Sequence, residues 1–191
     1  MATRREFLRA GGSLLAGLAL PPWPGGSFGL VDEREGGHLA NRLLEIRMKS
    51  DARGARVWFD PIGVRVLPGT VVRWVLEAGA HSTTAYHPAN ANHALRIPAK
   101  AAAWDSGILM RAGQAFEHRL DVPGVYDYFC IPHELAGMVG RILVVPGDDD
   151  GAGLREPAAA PEDLRTVPDA ALAAFPPIEA IRRAGVVRLA P

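Results

Sequence analysis

Only one cysteine, Cys130, occurs in these 191 residues, so no disulfide can close within the chain. Lysine is nearly missing as well. Lys49 and Lys100 are the only two, and arginine carries the rest of the 21 basic charges. These are matched by 21 Asp and Glu, which removes any bulk electrostatic case for nucleic acid or for a strongly charged partner. With four methionines, the chain lacks the Met-rich composition of proteins that store or hand on soft metals. The longest apolar stretch, residues 11–20, is about half the roughly twenty residues a membrane helix needs.

What is present points to a turn-rich β fold. The hydrophobic fraction is 48%, with 16 Pro and 21 Gly. Residues 44–49 alternate cleanly, with Leu44, Ile46 and Met48 on one face and Glu45, Arg47 and Lys49 on the other. Further strand-like runs are expected at 55–59, 63–67, 71–76, 115–120, 125–130 and 141–145, separated by Gly, Pro and Asp turns. Short strands at this spacing predict an antiparallel sandwich of about a hundred residues. Residues 83–110 break the pattern and read as a long connection between the sheets, containing one helical turn. Such loops are usually functional.

The N-terminus reads as an address. Arg4 and Arg5 precede the short apolar core at 11–20 and the breakers Pro21, Pro22 and Pro24, a pattern resembling a twin-arginine export signal. We assign residues 1–30 to this signal and a linker. A lipid anchor on a cysteine after it is excluded, since Cys130 is the only one. Beyond Pro146, residues 147–153 read as a flexible linker, with Asp148, Asp149 and Asp150 as solvated charges. Helices are expected to start at 158–164 and to span 168–175 and 177–184. Leu164, Leu172, Phe175, Ile178 and Ile181 give this tail, 147–191, enough apolar surface to pack on the sandwich.

The segment 130–138 carries the chemistry. Cys130, His133 and Met138 stand in a C-x2-H-x4-M pattern between two strand-like runs, so the loop can fold a thiolate, an imidazole and a thioether onto one point. Mononuclear copper takes such soft ligands, usually two His and one Cys in a plane with a weak axial Met. His81, at the turn after the strand at 71–76, is the best candidate for the second imidazole. Metal ligation also removes the oxidation liability of a lone thiol in an oxidising compartment.

Pro68-Gly69-Thr70, the following strand, Gly79-Ala80-His81-Ser82, residues 123–128 and the Cys130-to-Met138 loop, in that order, resemble the blue (type 1) copper, or cupredoxin, family of plastocyanin, pseudoazurin and halocyanin type. The resemblance covers residues 43–146 and implies an all-β Greek-key sandwich at 40–146 with a short helical C-terminal extension. It implies one type 1 copper ion on His81, Cys130, His133 and Met138. It also implies that His133 presents its edge to solvent inside an apolar ring of Ile131, Pro132, Leu135, Ala136 and Gly137, where a redox partner protein docks briefly. Backbone amides are expected to support the Cys130 sulfur. Ser82 stands where many relatives have Asn.

Three classes of function are carried forward. The first is a one-electron carrier outside the cytoplasmic membrane, in the periplasm or on the membrane's outer face, touching the membrane only through partners or an uncleaved signal. The second, a copper redox enzyme, would need further H-x-H or H-C-H pairs, or a second cysteine, which the chain lacks. The third is copper storage or delivery. His87 and His93, with His81, form H-x5-H-x5-H, read as a polar loop with a second metal site as the alternative. His38 and His118 read as surface or sheet residues.

Overall fold

The computed structural model describes residues 42–158 and 161–190. The expected export signal, the segment that follows it and His38 lie outside the described residues. No helix among the described residues is long and apolar enough to cross a membrane.

Among the described residues, nine strands form two facing sheets. The first runs β2 (Val57–Asp60), β1 (Leu43–Ser50), β4 (Thr70–Leu76), β6 (Ala115–Leu120). The second runs β5 (Thr84–Ala85), β7 (Gly124–Phe129), β8 (Val139–Val144), β3 (Gly63–Val66), β9 (Val186–Val187). The sandwich is the expected one, with strand ends displaced by a residue or two. One refinement fails: the sheets are mixed, because β1 pairs parallel with β4 and β3 with β8. The reason lies in the connections. After β2 the chain switches sheets, and β4 returns beside β1 only after a long crossover, the condition for a parallel pair.

Alternation places the core. In β4 the buried residues are Thr70, Val72, Trp74 and Leu76, with Val71, Arg73 and Val75 turned outward. Val72, Trp74 and Leu76 meet Tyr126, Tyr128, Ile142 and Val144 from the second sheet, with Ile46, Met48 and Phe59 from the first. Each such side chain contributes about 1.5–3 kcal/mol on burial. Tyr128 lies opposite Gly140 in the β7/β8 ladder, and its ring occupies the space a Cβ at 140 would need.

In β7 and β8 nearly every residue is buried, on both faces. The outer face is covered by the C-terminal tail. α1 (Asp169–Ala174) lies against the 130–138 loop, α2 (Ile178–Ala184) lies on β3 and β8, and β9 adds an edge strand that the sequence pattern does not predict. Beneath the tail, Asp127 is fully buried between Arg141 (2.7 and 3.0 Å) and Arg96 (2.8 Å). Arg141 also reaches Glu156 and the Pro176 carbonyl, and the Phe175 ring lies against both guanidiniums.

Several expectations for the tail and connection are corrected. The run starting at 158 forms no helix among the described residues; Pro161 opens a turn instead, closed by Leu164 N–H onto the Pro161 carbonyl. Leu172 faces solvent because α1 turns its small residues, Ala171 and Ala174, toward the sandwich. Residues 147–153 are fastened rather than free, since Asp150 pairs with Arg182 and Gly151 is buried. The 83–110 connection crosses to the second sheet as β5 and then returns. It holds no helix, only turns, closed by Asn90 N–H onto the His87 carbonyl, Asn92 N–H onto that of Pro88 and Ala101 N–H onto that of Pro98.

Candidate metal centre

β4 ends at Leu76, and a turn through Gly79 delivers His81 to the end of the sandwich. There His81 pairs with Leu109, each donating its N–H to the other's carbonyl at 3.1 and 2.7 Å. Gly79 has φ +89°, a left-handed conformation glycine adopts without strain. A Cβ there would lie 2.8 Å from His81 Nε2 and run into Ser50. Those two groups belong to one contact: Ser50 Oγ and His81 Nε2 are hydrogen-bonded at 2.9 Å, which turns Nδ1 inward.

β7 ends one residue before Cys130, and the 3-10 segment Ile131–Ala136 follows. The loop closes on itself. Cys130 N–H donates to the Met138 carbonyl (3.0 Å), Met138 N–H to that of His133 (3.1 Å), and His133 N–H to that of Cys130 (3.0 Å). Gly137 at φ 76° lets its own N–H bond back to Glu134.

Three donor atoms meet as a result. His81 Nδ1 and His133 Nδ1 are 3.2 Å apart, and Cys130 Sγ lies 3.6 and 3.4 Å from them. Among the described residues this is the one group of three or more His, Cys, Asp or Glu that converges on a point. A position equidistant from all three lies about 2 Å from each, the range of metal–imidazole and metal–thiolate bonds. His81 and Cys130 are buried and His133 is half-buried. Met138 is fully buried in the same core cluster as Cys130.

Electrostatics favour a cation. Burial, then the neighbouring His133, lowers the His81 pKa to about 4, and burial lowers that of His133. Burial pushes the Cys130 thiol up to about 11, against the pull of the Ser82 amide. Near neutrality the centre therefore holds two unprotonated imidazoles facing a thiol, lone pairs converging with no positive charge between them. A thiophilic metal held by His81, Cys130 and His133 would supply that charge and take the place of the thiol proton. The donor set fits copper.

The sequence model described as "Copper binding proteins, plastocyanin/azurin family" matches residues 46–145, a span that includes all four of these side chains. The chain belongs to that family. Plastocyanin from Scenedesmus fuscus is 31% identical over 104 residues, spanning 52% of this chain and 99% of the relative. Halocyanin from Natronomonas pharaonis is 32% identical over 88 residues, 45% of this chain and 47% of the relative. Among solved structures, pseudoazurin from Methylobacterium extorquens AM1 aligns with a TM-score of 0.44 and 26% identity, covering 56% of this chain and 76% of that one. Membership makes this a cupredoxin of the copper-binding, electron-transfer class, with copper as its cofactor. Its plastocyanin relatives are electron carriers, not enzymes.

The surroundings of the cupredoxin centre contain Ser82, whose amide gives the expected support to the sulfur, and two residues that motif reading passed over or misplaced, Glu134 and His93. Ser82 N–H points at Cys130 Sγ (3.4 Å), and Ser82 Oγ accepts the Ile131 N–H (2.8 Å). Glu134, inside the loop, is buried and accepts the Tyr86 hydroxyl at 2.8 Å. A buried-carboxylate signal was available in its position among apolar neighbours, but its partner is 48 residues away. His93 is not in a polar loop as expected; it is 1% exposed, packed between Tyr86 and Phe129. The connection folds inward there because Ala94 N–H bonds to the Arg165 carbonyl of the tail. His87 bonds locally to the Ala89 amide, and His118 stacks on Trp104 in β6. Ile131, Pro132, Leu135 and Ala136 are exposed around His133, with Leu135 at 81%. Gly137 leaves that ring, because α1 sits over it: a Cβ there would meet the Ala170 carbonyl at 3.0 Å.

Proposed function

We propose that this cupredoxin holds one type 1 copper ion on His81, Cys130, His133 and Met138 and carries single electrons between exported or membrane-bound redox partners. The observation that carries the reading is the convergence of His81 Nδ1, His133 Nδ1 and Cys130 Sγ within 3.2–3.6 Å of one another, without a disulfide or an ion pair to explain it. Copper bound there supplies a Cu(II)/Cu(I) couple that gains and loses one electron.

The chain's own residues prepare for that role. Ser50 orients the His81 ring, Ser82 steadies the Cys130 sulfur and the next amide, and the closed Cys130–Met138 loop holds His133 and Met138 beside them. A cage braced this way resists rearrangement between the geometries that the two oxidation states prefer. The core side chains around Cys130 and Met138 keep water out. His133 is the ligand nearest solvent, and the exposed Ile131, Pro132 and Leu135 beside it suit brief apolar docking by a partner protein. Export through the twin-arginine-type signal would place the protein in the periplasm or on the outer face of the cytoplasmic membrane.

Loading the metal-free protein with Cu(II) tests the reading. An intense blue or green colour, a narrow copper hyperfine splitting and reversible voltammetry are expected at one copper per chain. A colourless or sluggishly reduced Cu(II) adduct would overturn electron transfer in favour of storage or delivery.

A further inference from the structure

The buried pair Tyr86–Glu134 has no part in the donor set, yet it sits one residue from His133. Glu134 is 6% exposed and Tyr86 is fully buried, and the Tyr86 hydroxyl is the only side-chain hydrogen-bond donor to Glu134 among the described residues. Around them lie Phe129, Val139, Val167 and Ala171, an apolar cluster closed by α1. A carboxylate with one hydrogen bond in such a place costs stability, and apolar residues at both positions would fold about as well. Folding alone therefore does not explain the pair.

Its location does. His133 departs from helical geometry (φ −127°, ψ 16°) in the middle of the 3-10 segment, so its ring direction is not set by regular helix hydrogen bonds. On the Cys130 side the backbone is held by the His133 N–H bond to the Cys130 carbonyl. On the other side the next residue is Glu134, beside a cavity of about 250 Å³ lined by Asn90, His93, Ile131 and Arg165 among others. Packing is incomplete there, and His93 Nδ1, 3.8 Å from the Glu134 carboxylate, makes no hydrogen bond. Backbone bonds from Gly137 and Met138 close the loop on itself on that side, and the Tyr86 hydroxyl is the side-chain bond that ties it there to the sandwich.

We infer that Tyr86 and Glu134, sealed under the C-terminal α1, are positioning residues that fix the imidazole of His133 against His81 and Cys130. The inference rests on the copper reading above, and it gives the tail a purpose, since the tail encloses the tether of a ligand loop.

The full-length double variant Y86F/E134L tests it, because replacing both partners with apolar groups leaves no buried group unsatisfied. The thermal midpoint of the metal-free protein should stay at the wild-type value. Copper release to an excess of chelator should be about tenfold faster, the scale of one lost hydrogen bond to a charged group. The copper hyperfine splitting should shift as well. The single variant E134Q, which keeps an acceptor for Tyr86, should release copper at a rate within about twofold of wild type. Wild-type release and hyperfine splitting in the double variant would overturn the positioning role while leaving the copper centre standing. A wild-type protein that binds no copper would instead sink the metal reading itself.

Discussion

Ser82 bridges the two halves of the metal centre: its N–H is directed at Cys130 Sγ across 3.4 Å while its Oγ accepts the N–H of Ile131 at 2.8 Å. One residue thus ties the β4-side turn, which carries His81, to the loop that carries Cys130 and His133.

Ser82→Ala removes the acceptor and leaves the Ile131 N–H without its side-chain partner. The expected loss is about 1–3 kcal/mol, read by urea unfolding of the metal-free protein. The backbone amide to the sulfur remains, so the copper-loaded variant should keep its colour. A colourless S82A protein would show that the hydroxyl, not the amide, holds the cysteine in place.

Cys130→Ser should abolish the visible absorption of the copper-loaded protein, since thiolate is the donor behind it. His87→Ala should leave the spectrum untouched, because that ring bonds only to the nearby Ala89 amide. A spectral change in H87A would remove His81 from the ligand set.

Gly79→Ala places a methyl group 2.8 Å from His81 Nε2 in a backbone conformation unfavourable to alanine. His81 and Ser50 must then move apart. Copper affinity should fall by about tenfold or more, the equivalent of 1.4 kcal/mol, in a competition titration. Unchanged affinity would mean that the turn relaxes without disturbing the ring.

Asp127→Ala strands two buried guanidiniums, Arg96 and Arg141, beneath the tail. Loss of one partner from a buried ionic network costs about 3–5 kcal/mol. Denaturant unfolding should show that loss, together with protease cleavage in the 147–191 segment that wild type resists.

Acid should weaken the metal-free fold through His93. Burial lowers its pKa from 6.5 to about 4, so the unfolded chain takes up a proton below pH 6.5 while the folded chain does not until about pH 4. Its contribution is complete above pH 6.5 and is lost as pH falls toward 4, by about 3 kcal/mol at most. His81 adds a shift of the same sign in the metal-free state. His93→Phe should flatten this part of the pH–stability curve in urea titrations at pH 7 and 4.5. An equally steep curve would assign the loss to other groups.

Much of this protein was legible without coordinates where the signals are local. The alternation of residues 44–49 and 71–76 is set by the two-residue period of a strand, and Ile46, Met48, Val72, Trp74 and Leu76 all reach the core. The metal loop was legible for a similar reason: chemically rare donors stand within nine residues of one another. His93 and Leu172 were misread because their surroundings come from elsewhere in the chain. Arg165 and Phe129 draw His93 inward, and two alanines decide which face of α1 is buried.

By itself the sequence determined a strand-rich sandwich and a soft-ligand loop, since side-chain periodicity and donor type are properties of neighbouring residues. Only the tertiary structure decided the parallel pairings, the Arg96–Asp127–Arg141 network, the Tyr86–Glu134 tether and the tail's place over β7, β8 and the loop. Each of these joins residues far apart in the chain, and the free energy that selects them, burial of apolar surface together with pairing of the buried charges, exists only once the chain has closed.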